Sequence, residues 1–112
     1  MDAATTIAPA APQHMRALAE ANRVRLARAA LKREIDAGHV DAAEVVRECP
    51  WEVETMTVGE LLRSQRRWGR TRSRKFLSSL ALSENREIGR LTLRQRSVLA
   101  EELDAKRSVH AH

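Results

Sequence analysis

The feature that most limits how this chain can fold is a pair of short helical patterns that meet at Trp68-Gly69. The first opens at Thr57, where Thr57-x-x-Glu60 forms a capping box ahead of Leu61 and Leu62. The second runs from Arg70 to Leu80 and carries Phe76, Leu77 and Leu80 at i, i+1, i+4 spacing, which anchors one face to a core. Between residues 63 and 75 stand seven basic side chains (Arg63, Arg66, Arg67, Arg70, Arg72, Arg74 and Lys75) and no acidic one. Two helices jointed at a glycine, with that much like charge at the joint, need a scaffold behind them and something negative in front.

The flanking sequence supplies the scaffold, and all of it is helical. A helix is predicted from about His14 to Ala37, stopped by Gly38, with Val24, Ala27, Leu31 and Ile35 as its packed stripe. A short helix follows over Asp41 to Glu48, capped by Asp41, with Val45 and Val46 facing inwards; Pro50 ends it. Trp51 and Val53 are expected to fill the core from the connecting loop. Residues 81–91 read as a loop with at most a turn of helix. Thr92 then caps the last helix with Gln95 as its partner, and Leu93, Val98, Leu99 and Leu103 are its apolar positions.

No strand alternation occurs, so the fold class is all-α: a long N-terminal helix followed by a compact bundle of short helices. Residues 1–13, rich in Ala, Thr and Pro, are expected to be a disordered tail. A single helical domain is expected over 14–104, with residues 105–112 fraying.

Composition limits the function. Lys and Arg number 20 against 15 Asp and Glu, a formal net charge of +5, which favours a polyanionic partner. Only Lys32, Lys75 and Lys106 are lysines; the rest are arginines, whose planar fork binds phosphate bidentately. A high-GC genome would also enrich Arg, but it does not explain the clustering. No apolar run approaches the roughly 18 residues of a membrane span, and the N-terminus lacks the pattern of a signal peptide. A cytoplasmic protein with no membrane partner is expected. His14, His39, His110, His112 and the single Cys49 have no metal-ligand spacing, and no phosphate loop or dinucleotide fingerprint is present. Accordingly no catalytic residue, no metal site and no cofactor is expected.

The basic joint is the candidate site. A helix starting at a glycine turn offers free backbone N–H groups and the positive end of its dipole to a phosphate. Arg66, Arg67, Trp68, Gly69, Arg70, Arg72 and Arg74 are its candidate residues, with Trp68 either in the interface or plugging the core. On the long helix Arg25, Arg28 and Lys32 share a stripe beside the packed face. They are either a second anion-contacting surface or a solvated face balanced by Glu34 and Asp36.

The order Val58-Gly59-Glu60-Leu61-Leu62, Trp68-Gly69-Arg70, Arg72, Phe76-Leu77 and Ser83-x-x-Arg86 resembles the actinobacterial integration host factor family. The likeness spans about residues 14–104 and is clearest over 56–99. It implies a helix–two-turns–helix unit behind a long N-terminal helix, a unit that also occurs in a small-subunit ribosomal protein and in some DNA glycosylases. The family binds double-stranded DNA with little sequence preference, bends and compacts it, and assists phage integration. The resemblance therefore implies duplex DNA as the partner, an integrase or recombination complex as a further one, a nucleoid location, and a monomer, with a phage-encoded relative as one source.

In the family the joint typically reads Pro-Gly-hydrophobic-Gly-Lys; here it reads Arg66-Arg67-Trp68-Gly69-Arg70. The family's later Arg cluster maps onto Arg86 and Arg90, while Glu87 and Gly89 stand where the family prefers Arg. Arg66, Arg67, Arg94 and Arg96 are additional cations, and Arg86, Arg90 and Arg94 would reach a neighbouring phosphate. Two other classes stay open: an RNA- or ribosome-associated protein, and a helical protein–protein adaptor whose basic face only solubilises it.

Overall fold

The structure, a computed structural model, describes residues 12–110. Among them are five α-helices, α1 (Pro12–Ala37), α2 (Ala42–Glu48), α3 (Val58–Arg63), α4 (Arg70–Ser79) and α5 (Leu93–His110). Two 3₁₀ turns, Trp51–Val53 and Ile88–Arg90, lie in the connections. The fold is all-α, as the periodicity predicts. Of the expected N-terminal tail, residues 1–11 lie outside the described residues, while Pro12 and Gln13 already belong to α1. At the other end α5 extends to His110, and residues 111 and 112 of the expected C-terminal tail lie outside the described residues.

Local chemistry explains most helix ends. Asp41 accepts from the Ala43 amide at 3.3 Å and caps α2. Thr57 Oγ1 accepts from the Glu60 amide at 3.1 Å and caps α3. At α5 the box is reciprocal: the Gln95 amide donates to Thr92 Oγ1 at 3.0 Å and the Thr92 amide donates to Gln95 Oε1 at 2.9 Å.

The core gathers Ile35 of α1, Val45 and Val46 of α2, and Val53, Met56 and Val58 between and within the next elements. It closes on Leu61, Leu62, Leu77, Ile88, Leu99 and Leu103, all buried. α2 packs most extensively on α5, α3 on α4, and α1 on the first 3₁₀ turn. Only the C-terminal end of α1 reaches this core. Val24, Ala27 and Leu31 are half-buried, and residues 13–23 are exposed, so α1 projects and the molecule measures 65 × 27 × 23 Å.

Three expectations for apolar residues are corrected. Trp51 is 45% exposed and lies outside the core; its ring covers the Arg23 guanidinium at 4.1 Å. Leu93 and Val98 are 76% and 40% exposed. The buried stripe of α5 is Leu99, Ala100 and Leu103, extended at i−3 by half-buried Arg96. Leu93 sits in the first turn and Val98 off that stripe.

One long-range pairing fixes the second half of the chain. The Val58, Gly59, Ile88 and Gly89 amides donate to the carbonyls of Arg86, Glu84, Met56 and Glu54 respectively, at 2.8–2.9 Å. Residues 84–89 are thus strapped antiparallel along 54–59. Glycine is required where the strap is tightest, because a Cβ on Gly89 would lie 2.7 Å from the Glu54 carbonyl oxygen. Among the described residues no helix is long and apolar enough to cross a membrane.

Candidate nucleic-acid interface

The joint between α3 and α4 is built from two successive turns. The Gln65 amide donates to the Leu62 carbonyl and the Trp68 amide to the Gln65 carbonyl, each at 3.1 Å. The missing Pro-Gly does not abolish this geometry: Arg67 takes φ +72°, the left-handed conformation that glycine would adopt freely. Trp68 is half-buried against the core and meets Phe76 edge-on at 5.2 Å. Its ring face carries the Arg72 guanidinium at 4.2 Å, so the indole plugs the joint and holds Arg72 in place.

At Gly69 the chain is extended, with φ −90° and ψ −171°, and α4 begins at Arg70. Unlike α2, α3 and α5, α4 has no side-chain cap. The N–H groups of its first turn therefore point outwards with no side-chain acceptor. A Cβ on Gly69 would meet nothing within 4 Å, so the approach to those groups is open. Arg70 is in that first turn, and Arg66 and Arg67 flank it, all exposed.

The basic run, continuous in sequence, divides around α4. Its buried face is Ser73, Phe76 and Leu77. On one flank Arg70 and Arg74, at i, i+4, approach Glu84. Arg74 Nε donates to Glu84 Oε2 at 2.7 Å, and Arg63 reaches Oε1 at 3.3 Å. The Arg74 hydrogen bond, with the charges of Arg74, Arg63 and Arg70, holds the Glu84 carboxyl below the ordinary glutamate range. Arg74 is thus already paired with an acid that lies outside the basic run. On the opposite flank, Arg72 and Lys75 face the C-terminal helix, where they share hollows with Lys106.

The remaining expected contacts separate. Arg86 and Arg90 are exposed on the 84–90 strap, Arg90 paired with Glu87 at 3.2 Å and Arg86 with its guanidinium near the Arg90 carbonyl at 3.5 Å. Arg94 is exposed in the first turn of α5. The stripe on α1 is largely structural. Arg28 donates to the Glu52 carbonyl at 2.8 Å and to Thr55 Oγ1, Lys32 pairs with Glu60, and Arg25 bonds its neighbour Asn22. Arg28 and Lys32 clamp α1 to the bundle, a role invisible in the sequence because their partners are more than twenty residues away. Nothing in the sequence ties Lys106 and Arg107 to the joint, yet α5 brings them back beside it. Among the described residues no group of His, Cys, Asp and Glu is placed to hold a metal ion.

No protein-family model matches the chain, and no curated protein matches it significantly. Its fold is similar to that of an integration host factor, sIHF, solved bound to an 8-bp palindromic DNA. The TM-score is 0.68 at 26% sequence identity, over 75% of this chain and 97% of that one.

Proposed function

We propose that this protein binds and bends double-stranded DNA by gripping the phosphate backbone at the N-terminus of α4, with little regard to sequence. One observation carries the proposal. The single bundle helix of these four without a side-chain cap starts at an open glycine among Arg66, Arg67 and Arg70, in the fold of a protein solved with DNA. A phosphate is the acceptor that such a terminus lacks. Arg72 and Arg74 add charge along α4, and Arg86, Arg90 and Arg94 serve a neighbouring phosphate. Arg28 and Lys32 are left out of the interface because their side chains hold α1 in place.

Backbone contacts position a protein without reading bases, which fits a monomeric architectural role on nucleoid DNA, including alongside an integrase. Neutralising one side of a duplex and wrapping it offsets a bending cost of order a few kcal/mol. The test is Arg70→Ala on two duplexes of equal length and unrelated sequence. Affinity should fall by the same factor on both, and the salt dependence should flatten by about 0.9 in log–log slope for the phosphate lost. A loss confined to one duplex would make Arg70 a base reader and overturn the backbone grip. Stronger binding to structured RNA than to either duplex would favour the RNA-associated reading.

A further inference from the structure

The flank of α4 that carries Arg72 opens into a cleft of about 360 Å³ between the joint and α5. Arg66, Arg67 and Arg72 line one wall, and Lys106 and Arg107 line the other. We infer that this cleft is a second phosphate track, in which Lys106 and Arg107 of the C-terminal helix bind the nucleic-acid backbone. The inference rests on the duplex-binding function proposed above and extends it to a helix outside the two-turn unit.

Charge is the first argument. Five cations line the cleft against a single acid among its lining residues, Asp41. Asp41 is already committed: one oxygen accepts from the Ala43 amide, and the other lies 3.4 Å from the Arg107 guanidinium. The five cations and this acid line a concave surface, where walls of low dielectric focus the field and raise the local concentration of anions.

Shape and composition are the second. The cleft is not uniformly polar, since Trp68 and Leu103 form an apolar part of its lining. Cations on both walls with an apolar floor suit a sugar-phosphate chain: phosphate oxygens to the guanidinium and ammonium groups, deoxyribose against the indole edge and the leucine. A neighbouring hollow of about 670 Å³ shares Trp68, Arg72 and Lys106 and adds Lys75, which prolongs the track along α4. Arg66 and Arg67 line the cleft and also lead into Gly69 and the N-terminus of α4, so the track adjoins the first site.

The experiment compares the full-length chain with Lys106→Gln/Arg107→Gln, with Lys75→Gln, and with Arg16→Gln on the projecting part of α1. The slope of log affinity against log salt is measured on one duplex. The double variant should flatten the slope by about 1.8 and Lys75→Gln by about 0.9, at about 0.9 per phosphate. Arg16→Gln should leave it near the parent value. A double variant that matches both Arg16→Gln and the parent overturns the inference and leaves the α4 site standing. A parent protein that binds no duplex at low salt overturns the proposed function and this extension together. If loss of the Arg107–Asp41 pair lowers the melting temperature, Lys106→Gln alone carries the test, with an expected change of about 0.9.

Discussion

Replacing Gly69 by aspartate sets the stability of α4 against its proposed function. The backbone at Gly69 is extended and a Cβ there would meet no atom within 4 Å, so the substitution introduces neither strain nor overlap. Aspartate at that position is a good cap, worth a few tenths of a kcal/mol over glycine. Its charge beside the helix N-terminus adds ~0.3–1 kcal/mol. Together these amount to about 0.5–1.3 kcal/mol of added stability, or about 2–10 °C in Tm for a domain of this size. The same carboxylate occupies the N–H groups assigned to a phosphate and repels the backbone. Losing hydrogen bonds to a charged group, at roughly 1.5–3 kcal/mol, weakens DNA binding by roughly ten- to a hundredfold. Thermal melting and a fluorescence titration on labelled duplex read the two effects separately. Gly69→Asp that melts higher yet binds like the parent would show that the first turn of α4 holds no phosphate. A variant that loses stability would refute the capping argument itself.

Other consequences follow from single contacts. Glu84→Gln removes the acid that pairs with Arg63 and Arg74, so duplex affinity should rise. The salt slope should steepen by up to about 1.8 if both guanidinium groups move onto phosphates. Because the folded-state pKa of Glu84 is depressed, its pairing stabilises the fold above the ordinary glutamate range and is lost as acid titrates the carboxylate. The parent's melting temperature should fall more steeply below that range than that of Glu84→Gln. Arg67→Gly should relieve a left-handed backbone cost of ~1–2 kcal/mol, less ~0.5–1 kcal/mol of glycine's unfolded-state entropy. Denaturant melts should therefore show a small gain while binding weakens. Ser73 is fully buried and its hydroxyl finds no partner; Ser73→Ala should be neutral or stabilising by up to about 1 kcal/mol in the same assay.

What could be read from the sequence is what local chemistry decides. Asp41, Thr57 and Thr92 are caps because each sits two or three residues before the amide it serves, and the joint at Trp68-Gly69 announces itself in one short stretch. The packed stripe of α5 was only partly legible: Leu99 and Leu103 fit the apolar period, but Arg96 occupies a core-facing position that a count of apolar residues passes over. Trp51 shows the converse, a large aromatic held outside the core by a cation on another helix.

Partners distant in sequence were not legible. Glu84 lies 21 residues from Arg63 and 10 from Arg74, and only the strap of 84–89 along 54–59 brings it to the basic run. The same holds for Arg28 and Lys32, whose positions suggest an open cationic stripe until the loop at 52–55 and Glu60 close on them. Lys106 and Arg107 look like the end of a solubilising helix until α2 and the joint place them across a cleft from Arg66 and Arg67.

The most direct test of backbone-directed DNA binding is a set of isotherms for the full chain on several unrelated duplexes of equal length, across a salt series. The account predicts one affinity for all of them and a common steep decline with salt, at about 0.9 log units per log unit of salt for each phosphate engaged. A strong preference for one duplex, or affinity that ignores salt, would contradict it.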